Sequence, residues 1–162
     1  MRNNMTYIGK LKHNIIISDN YQQIANADEK AAIILAKSEL FEQACYFILQ
    51  AMEKTIRAKI FTLVDAKNPY FREKNKSHCV ENAANFLLDI LSSDEIVKKQ
   101  IKQQMTDLVL KDTKYSFLHN CLRYPNYSEK YNNFSKLTAD QSDFDELYNR
   151  LAMLKKFLKD LH

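Results

Sequence analysis

The chain has 162 residues and a formal net charge of +4, and 46% of its residues are apolar. This length suits one domain, and such a chain can bury about two thirds of its unfolded surface without help from a metal or a disulfide. With one Gly, two Pro and no Trp, it has too few turn formers for a β-sandwich, a barrel or a Gly-rich nucleotide loop. We expect a mostly helical domain.

The cysteines and the apolar runs indicate an intracellular protein. The chain has an odd number of cysteines, which lie far apart in the sequence at Cys45, Cys79 and Cys121. This pattern argues for reduced thiols rather than a disulfide framework or a zinc site. No apolar run reaches the roughly 18–20 residues that cross a bilayer, and the N-terminus lacks the apolar stretch of a signal peptide. These features predict a cytoplasmic location and no membrane contact. The pI near 8.8 mildly favours an anionic binding partner.

Two regions are predicted, an arm at residues 1–20 and a helical bundle at residues 21–162. In the arm, the β-branched residues around Tyr7-Ile8 and Ile15-Ile16-Ile17 leave a short strand and an ordered arm equally open. The first helix is predicted to begin between Asn20 and Asp28, where Asn26 and Glu29 have capping-box spacing. Its predicted core face is formed by four apolar residues. They are Ile24, Ala31, Ile34 and Leu35.

The second helix carries the longest apolar stripe. From Leu40 to Leu63, apolar residues recur at steps of three and four, which is typical of a core-facing helix. The helix should end before Asn68-Pro69, because proline disfavours helical geometry in the residue before it. Residues 67–77 form a basic connection that includes Lys74 and Lys76.

Three further helices follow, each with a predicted cap. Ser77 should cap a third helix, Ser92 with Glu95 a fourth, and Thr138 with Gln141 a last one. The last helix has apolar residues at the alternating steps of three and four that suit bundle packing. These are Phe144, Leu147, Leu151, Leu154, Leu158 and Leu161. The sequence therefore predicts an all-α, up-and-down four-helix bundle with an additional short helix.

Most enzyme signatures are absent. The one glycine, Gly9, cannot build a P-loop, a dinucleotide fingerprint or a nucleophile elbow. The four histidines, at positions 13, 78, 119 and 162, have no helical metal-ligand spacing. We expect no metal and no cofactor.

Residues 111–138 lack helical periodicity, and they are too rich in aromatic residues for disorder. Within them lies the most informative segment, HNCLRYPNY at residues 119–127. Pro125 should break a helix just after Arg123, whose planar guanidinium can then bind a phosphate or carboxylate bidentately. Tyr124 and Tyr127 could stack on a base. Alternatively, Arg123 pairs with a core carboxylate such as Asp112, and the tyrosines only cover the bundle.

Three motifs together resemble the HEPN family (higher eukaryotes and prokaryotes nucleotide-binding). Residues 44–59, ACYFILQAMEKTIRAK, are similar to that family's Gln-Ala-x-Glu-Lys helix. Residues 77–80, SHCV, resemble its Thr-His-x-Leu helix start, and residues 123–126, RYPN, resemble its Arg-Tyr-Pro-Asp loop. They occur in the family's order, and the resemblance covers roughly residues 22–161. It implies a helical bundle that usually forms a homodimer.

The resemblance also implies an activity that this sequence only partly supports. Many HEPN proteins are metal-independent ribonucleases with an Arg-x4–6-His motif at the dimer cleft. Arg123 matches the arginine, but Ser128, Glu129 and Lys130 occupy the positions of the histidine. His119 lies upstream of Arg123, and His78 matches a different family landmark. The general acid or base of the motif is therefore missing from its place.

We accordingly predict a non-catalytic nucleotide- or RNA-binding module, or the partner of a small nucleotidyltransferase in a toxin–antitoxin pair. Two alternatives stay open. One is a divergent ribonuclease toxin in which Glu129, or His119 of the partner subunit, replaces the histidine, and the other is a purely structural dimeric bundle. The candidate ligand-binding residues are Lys74, Lys76, His78, His119, Arg123, Tyr124, Asn126 and Tyr127.

Overall fold

The computed structural model describes residues 8–161, so the predictions for Tyr7 and terminal His162 lie outside the described residues. Within this range, seven α-helices account for most of the chain, and the prediction of an all-α fold is confirmed. The helices are α1 (Ile17–Lys37), α2 (Phe41–Leu63), α3 (Pro69–Lys74), α4 (Val80–Leu91), α5 (Glu95–Met105), α6 (Tyr115–Cys121) and α7 (Gln141–Asp160). A π-helical segment, Thr106–Leu110, continues α5, and a small hairpin joins β1 (Asn126–Ser128) to β2 (Asn133–Ser135).

Helix α2 is the centre of the bundle, with α1, α4 and α7 packed around it. Its apolar stripe is buried from Ala44 to Ile60 as predicted, whereas Leu40 and Leu63 at the two ends of the predicted stripe are exposed. The predicted stripe of α7 is buried as well, from Phe144 to Leu158. Burial of such stripes against one another is the main source of stability in a helical bundle. No helix in the described part of the chain has the length and apolarity to span a bilayer.

The first helix differs from its prediction in its start and in its buried face. It begins at Ile17, so residues 8–16 contain no strand, and Asn26 and Glu29 lie inside the helix instead of capping it. The predicted core face is wrong at two of its four residues, because Ile34 is 55% exposed and Ile24 is 39% exposed, whereas Leu35 packs against the core. Three alanines are buried instead, and their small side chains allow α1 to pack closely on α2. They are Ala25, Ala32 and Ala36.

At two of the three helix starts where a hydroxyl cap is predicted, a carboxylate provides the cap instead. Asp94 caps α5 by accepting from the N–H groups of Ile96 and Val97, and Asp140 forms a capping box with Asp143 at the start of α7. Helix α4 follows Cys79 without a side-chain cap, since Ser77 donates to the carbonyl of Lys74. A carboxylate at these positions also interacts favourably with the positive end of the helix dipole.

Two segments that were predicted as connections contain regular structure. Asn68 accepts from the N–H of Tyr70, and Pro69 provides the first residue of α3. Residues 111–138 contain α6 and the hairpin, which turns at Asn132 in the left-handed conformation (φ 47°). This second segment carries the Arg123 loop, so its ordered structure determines the geometry of the candidate site.

Candidate functional site

The junction between α2 and α6 holds the candidate site. Helix α6 is fixed at its start by Tyr115, whose buried ring reaches the core and whose hydroxyl donates to the carbonyl of Leu110 at 2.9 Å. It ends at Cys121, so Arg123 lies at the junction of helix and loop, as predicted. On the facing side of α2, Tyr46 and Gln50 are one turn apart and contact α6 through His119.

Arg123 is held entirely by uncharged groups. Its Nε–H donates to the carbonyl of His119 at 3.2 Å, and its Nη2 donates to the Asn120 side-chain oxygen at 3.2 Å. The guanidinium carbon lies 5.6 Å from the ring centroid of Tyr46 and 5.0 Å from that of Tyr124. No acidic residue within residues 8–161 forms an ion pair with it. The alternative in which Asp112 pairs with Arg123 is therefore wrong.

His119 connects this arginine to α2. Its Nδ1 lies 3.3 Å from Nη2 of Arg123 and its Nε2 lies 3.1 Å from the side-chain amide of Gln50. Arginine can only donate, so Nδ1 must accept and Nε2 carries the proton of the neutral ring. The Gln50 atom that faces Nε2 is the amide nitrogen, so a hydrogen bond from Nε2–H requires the Gln50 amide to be turned so that its oxygen takes that place. Burial, followed by the charge of Arg123, lowers the pKa of the His119 imidazole below 6.5. His119 is thus neutral near pH 7, and both of its ring nitrogens are engaged.

A buried ion pair lies one turn further along α2. Glu53 is 5% exposed and Arg57 is 2% exposed, and the Nε–H of Arg57 donates to Glu53 Oε1 at 2.9 Å. The remaining donors of Arg57 reach the side-chain and backbone oxygens of Asn75 and the carbonyl of Ser77. The pair therefore anchors the turn that leads into His78.

His78 is the exposed member of this group. Its Nδ1 lies 3.5 Å from Glu53 Oε1, while its side chain is 73% exposed. Its Nε2 has no hydrogen-bond partner among the described residues. Charge on His78 lowers the pKa of His119 and charge on Glu53 raises it, which places all three groups in one electrostatic neighbourhood.

The other predicted site residues have local partners. The Asn126 amide donates to the sulfur of Cys121, and the Tyr127 hydroxyl donates to the side chain of Asn132. Lys76 pairs with Glu73 at 2.6 Å, and the ammonium of Lys74 lies 5.8 Å from the Tyr70 ring centroid. The structure therefore brings His119, Arg123 and Tyr124 into contact, with His78 nearby, whereas neither lysine contacts Arg123.

Sequence reasoning missed the contribution of α2. Tyr46, Gln50 and Glu53 follow one another at steps of four and three, and Glu53 and Arg57 have the spacing of an intrahelical ion pair. The available signal is that four polar or amphipathic side chains run along one side of a helix with a long, core-facing apolar stripe. In a core-facing helix, such residues need partners.

Two further features bear on the chemistry of the site. A cleft of about 180 Å³ adjoins Arg123 and is lined also by Tyr124, Lys136 and Glu42. Cys45 faces a separate cavity of about 190 Å³, but burial raises the pKa of its thiol to about 12, so it is not a nucleophile. Within residues 8–161, no group of His, Cys, Asp and Glu side chains has the arrangement of a metal site.

Comparisons of the chain with family models, with curated proteins and with solved structures gave no match. The function must therefore be argued from the geometry of the Arg123 site and from the sequence resemblance described above.

Proposed function

We propose that this protein is a non-catalytic binding module for a phosphate-bearing ligand, a nucleotide or RNA, with Arg123 as the anchor. The observation that carries the proposal is that Arg123 is exposed and fixed in place, yet has no acidic partner among the described residues. Its charge is thus available to an anion, and a guanidinium is well suited to a phosphate because its donors match two oxygens at once.

The surroundings favour a nucleotide over a simple anion. Tyr124 is 59% exposed beside the guanidinium, so a base could stack on its ring while the phosphate binds Arg123. His119 acts as a positioning residue, because its Nδ1 accepts from Arg123 and its Nε2 is engaged by Gln50. A histidine with both nitrogens engaged is a poor general base.

The resemblance to HEPN domains extends the proposal to partners and location. We propose a cytoplasmic homodimer that acts as the non-catalytic partner of a small nucleotidyltransferase in a toxin–antitoxin type of pair. The support for this part is the order of the three sequence motifs and the absence of a histidine at residues 128–130.

Titration of adenosine and uridine 5′-monophosphates and of a short RNA tests the proposal. Arg123→Ala should weaken binding at least about tenfold, equivalent to about 1.4 kcal/mol. Arg72→Ala is the matched control because Arg72 is an exposed arginine on α3, and it should change affinity less than about twofold. Equal losses of affinity in the two variants would show that binding depends only on the net charge of the protein. A wild-type protein that binds none of the ligands would favour a purely structural bundle.

A second function, a metal-independent ribonuclease, is favoured by the position of His78. Its Nε2 is free within the described chain, and the buried carboxylate of Glu53 lies beside its Nδ1. Such a histidine could take the proton from a ribose 2′-hydroxyl while that oxygen attacks phosphorus. The bond to the 5′ oxygen breaks, that oxygen takes a proton from water, and Arg123 stabilises the phosphate charge. Neither Glu129 nor His78 forms a hydrogen bond with Arg123 among the described residues, and we prefer His78 as the replacement of the motif histidine because its Nδ1 lies 3.5 Å from the buried carboxylate of Glu53.

Incubation of RNA with the protein in the presence of a chelator separates the two functions. The ribonuclease predicts fragments with 2′,3′-cyclic phosphate ends, which His78→Ala abolishes and His13→Ala, at an exposed position of the arm, leaves unchanged. Intact RNA together with Arg123-dependent binding supports the non-catalytic module.

A further inference from the structure

Four exposed aromatic side chains lie on and beside the β1–β2 hairpin, and we refer to them as the aromatic face. Tyr124 is 59% exposed, Tyr127 54%, Tyr131 67% and Phe134 68%. The strand register places Tyr127 directly opposite Phe134, and their rings pack edge to face with centroids 5.6 Å apart. Exposed aromatic residues that cluster in this way usually mark a surface that binds another molecule.

The hairpin is held in shape by its own hydrogen bonds. The Tyr127 hydroxyl donates to the side chain of Asn132, which occupies the left-handed position of the turn. The Asn126 amide donates to Cys121 and so ties the first strand to the end of α6. No residue of either strand is buried. Because the hairpin does not bury its rings against the bundle, the aromatic face is preformed for a ligand from outside.

The charges around the aromatic face favour an anionic ligand. Residues 123–136 contain Arg123, Lys130 and Lys136 against one acid, Glu129. The ammonium of Lys130 lies 5.2 Å from the ring centroid of Tyr131, in the same way that Arg123 lies beside Tyr124. Cations therefore alternate with aromatic rings along the segment.

The aromatic face is also continuous with the Arg123 site. The cleft of about 180 Å³ beside Arg123 is lined by Tyr124 and Pro125 at one end of the hairpin and by Lys136 at the other. A strand whose phosphate binds Arg123 can thus continue towards Lys136 and the hairpin along a cleft that contains one acidic residue, Glu42.

We infer that the aromatic face extends the Arg123 site into a binding surface for single-stranded RNA. Bases stack on the exposed rings of Tyr127, Tyr131 and Phe134, and phosphates contact Arg123, Lys130 and Lys136. This inference rests on the proposed function and goes beyond it, because it requires a strand rather than a mononucleotide. Duplex RNA is excluded as the ligand, since its bases are stacked inside the helix. Aromatic residues and arginine are also enriched in the cores of protein interfaces, but lysines are depleted there. The lysines Lys130 and Lys136 therefore favour RNA over a protein occupant, and sedimentation decides between the two.

The test compares uridine 5′-monophosphate with a single-stranded oligouridine of about eight nucleotides, a length within the usual site size of such proteins. The wild-type protein should bind the oligonucleotide more tightly than the mononucleotide. Tyr131→Ala should weaken oligonucleotide binding roughly five- to hundredfold by the loss of one stacked base, and leave mononucleotide binding unchanged. Tyr131→Phe should retain the affinity, because the ring is kept.

Tyr70→Ala is the matched control. Tyr70 is 58% exposed, and Lys74 lies beside its ring as Lys130 lies beside Tyr131. Tyr70→Ala should change neither the affinity for the oligonucleotide nor the affinity for the mononucleotide. Phe134→Ala should also weaken oligonucleotide binding, but it removes the ring opposite Tyr127 and so affects the hairpin itself. Tyr131→Ala leaves the Tyr127–Phe134 pair intact. A loss of affinity in this variant therefore reflects the missing base stack on Tyr131 and not a disordered hairpin.

Three results would overturn the inference. Equal affinity for the mononucleotide and the oligonucleotide would leave the proposed function intact and remove the role of the aromatic face. Equal effects of Tyr131→Ala and Tyr70→Ala would show that any exposed ring suffices. A wild-type dimer in sedimentation that Tyr131→Ala converts to a monomer would make the face a protein interface. If no ligand binds at all, the proposed function fails together with the inference.

Discussion

Two arginines of this protein illustrate two different uses of the same side chain. Arg57 is 2% exposed, and it donates to a buried carboxylate and to three further oxygens of residues 75 and 77. Arg123 is exposed, and its partners are a neutral imidazole, an amide, a carbonyl and two aromatic rings. The charge of Arg57 is neutralised within the fold, whereas the charge of Arg123 is oriented by the fold and left available to solvent or a ligand.

The difference separates an arginine that stabilises the fold from one that we propose to bind a ligand. A buried arginine with an acidic partner stabilises the particular arrangement of the chain around it. An arginine fixed by neutral groups gains little stability from its charge, so its orientation makes more sense as preparation for an anion. The predictions below test this contrast, beginning with the largest expected effect.

Arg57→Ala should lower the free energy of unfolding by about 3–5 kcal/mol, because it leaves Glu53 buried without its cation. Urea denaturation, followed by circular dichroism, measures the change. The double variant Arg57→Met with Glu53→Gln removes both charges and should be less destabilised than Arg57→Ala. If Arg57→Ala were nearly as stable as wild type, the pair would not be the structural anchor described above.

Asn75→Ala should lower the free energy of unfolding by about 1–3 kcal/mol, since it removes the side-chain acceptor of Arg57 at 2.5 Å and the donor to the Tyr21 hydroxyl at 2.8 Å. The same denaturation experiment measures it. Asn85→Ala, at an exposed position of α4, is a control and should change stability only slightly. Equal losses in the two variants would contradict a specific role for Asn75.

Arg123→Ala should change the free energy of unfolding by less than about 0.5 kcal/mol, the usual range for an exposed residue, while it weakens ligand binding at least about tenfold. Measuring both quantities on one preparation separates this arginine from Arg57. A large loss of stability in Arg123→Ala would instead show that Arg123, like Arg57, stabilises the fold.

The pKa of His119 should respond to Arg123. The pKa lies below 6.5 in the folded protein because of burial and then the charge of Arg123. Arg123→Gln should raise this pKa but not restore it fully, because burial is the larger cause. NMR titration of the four histidines, with His119→Gln to identify the signal, measures the change. An unchanged midpoint would show that Arg123 does not contact His119 in solution.

The same pKa gives a pH dependence of stability. The folded state binds fewer protons than the unfolded state at pH values between the lowered pKa and 6.5. Above pH 6.5 the His119 imidazole is mostly unprotonated in both states, so the lowered pKa costs no stability. As the pH falls from 6.5 to the lowered pKa, the unfolded state takes up a proton first and the folded state becomes less stable by comparison. Stability should therefore decrease on acidification below pH 6.5, and the decrease should be smaller in Arg123→Gln.

Much of the fold followed from the sequence because the bundle depends on periodic apolar stripes. The stripes of α2 and α7 are long enough to define both the helix and its buried face. In α1 the same reasoning was only partly successful, because the fully buried residues are alanines and two of the larger apolar residues, Ile24 and Ile34, are exposed. Apolarity alone does not reveal a close helix contact that only small side chains permit.

The candidate site was predictable only in part. The Arg-Tyr-Pro-Asn segment indicated Arg123 and Tyr124, since proline after an arginine at a helix end is a local feature. The contacts from Tyr46 and Gln50 depend on how α6 packs against α2, and the contact of Glu53 with His78 depends on the turn before α4. No local pattern specifies either arrangement. Lys74 and Lys76 were assigned to the site from their charge, and the structure instead gives them partners on or just after α3.

The most direct test of the central contrast is an NMR titration that observes the arginine Nε–H signals while a single-stranded RNA is added. Arg123→Lys and Arg57→Lys assign the two signals if the variants fold, and the slow solvent exchange of a buried group identifies Arg57 independently. We predict that the Arg123 signal shifts with saturation while the Arg57 signal remains in place. If the RNA binds and the Arg123 signal does not move, Arg123 is not the anchor of the site and the account is contradicted.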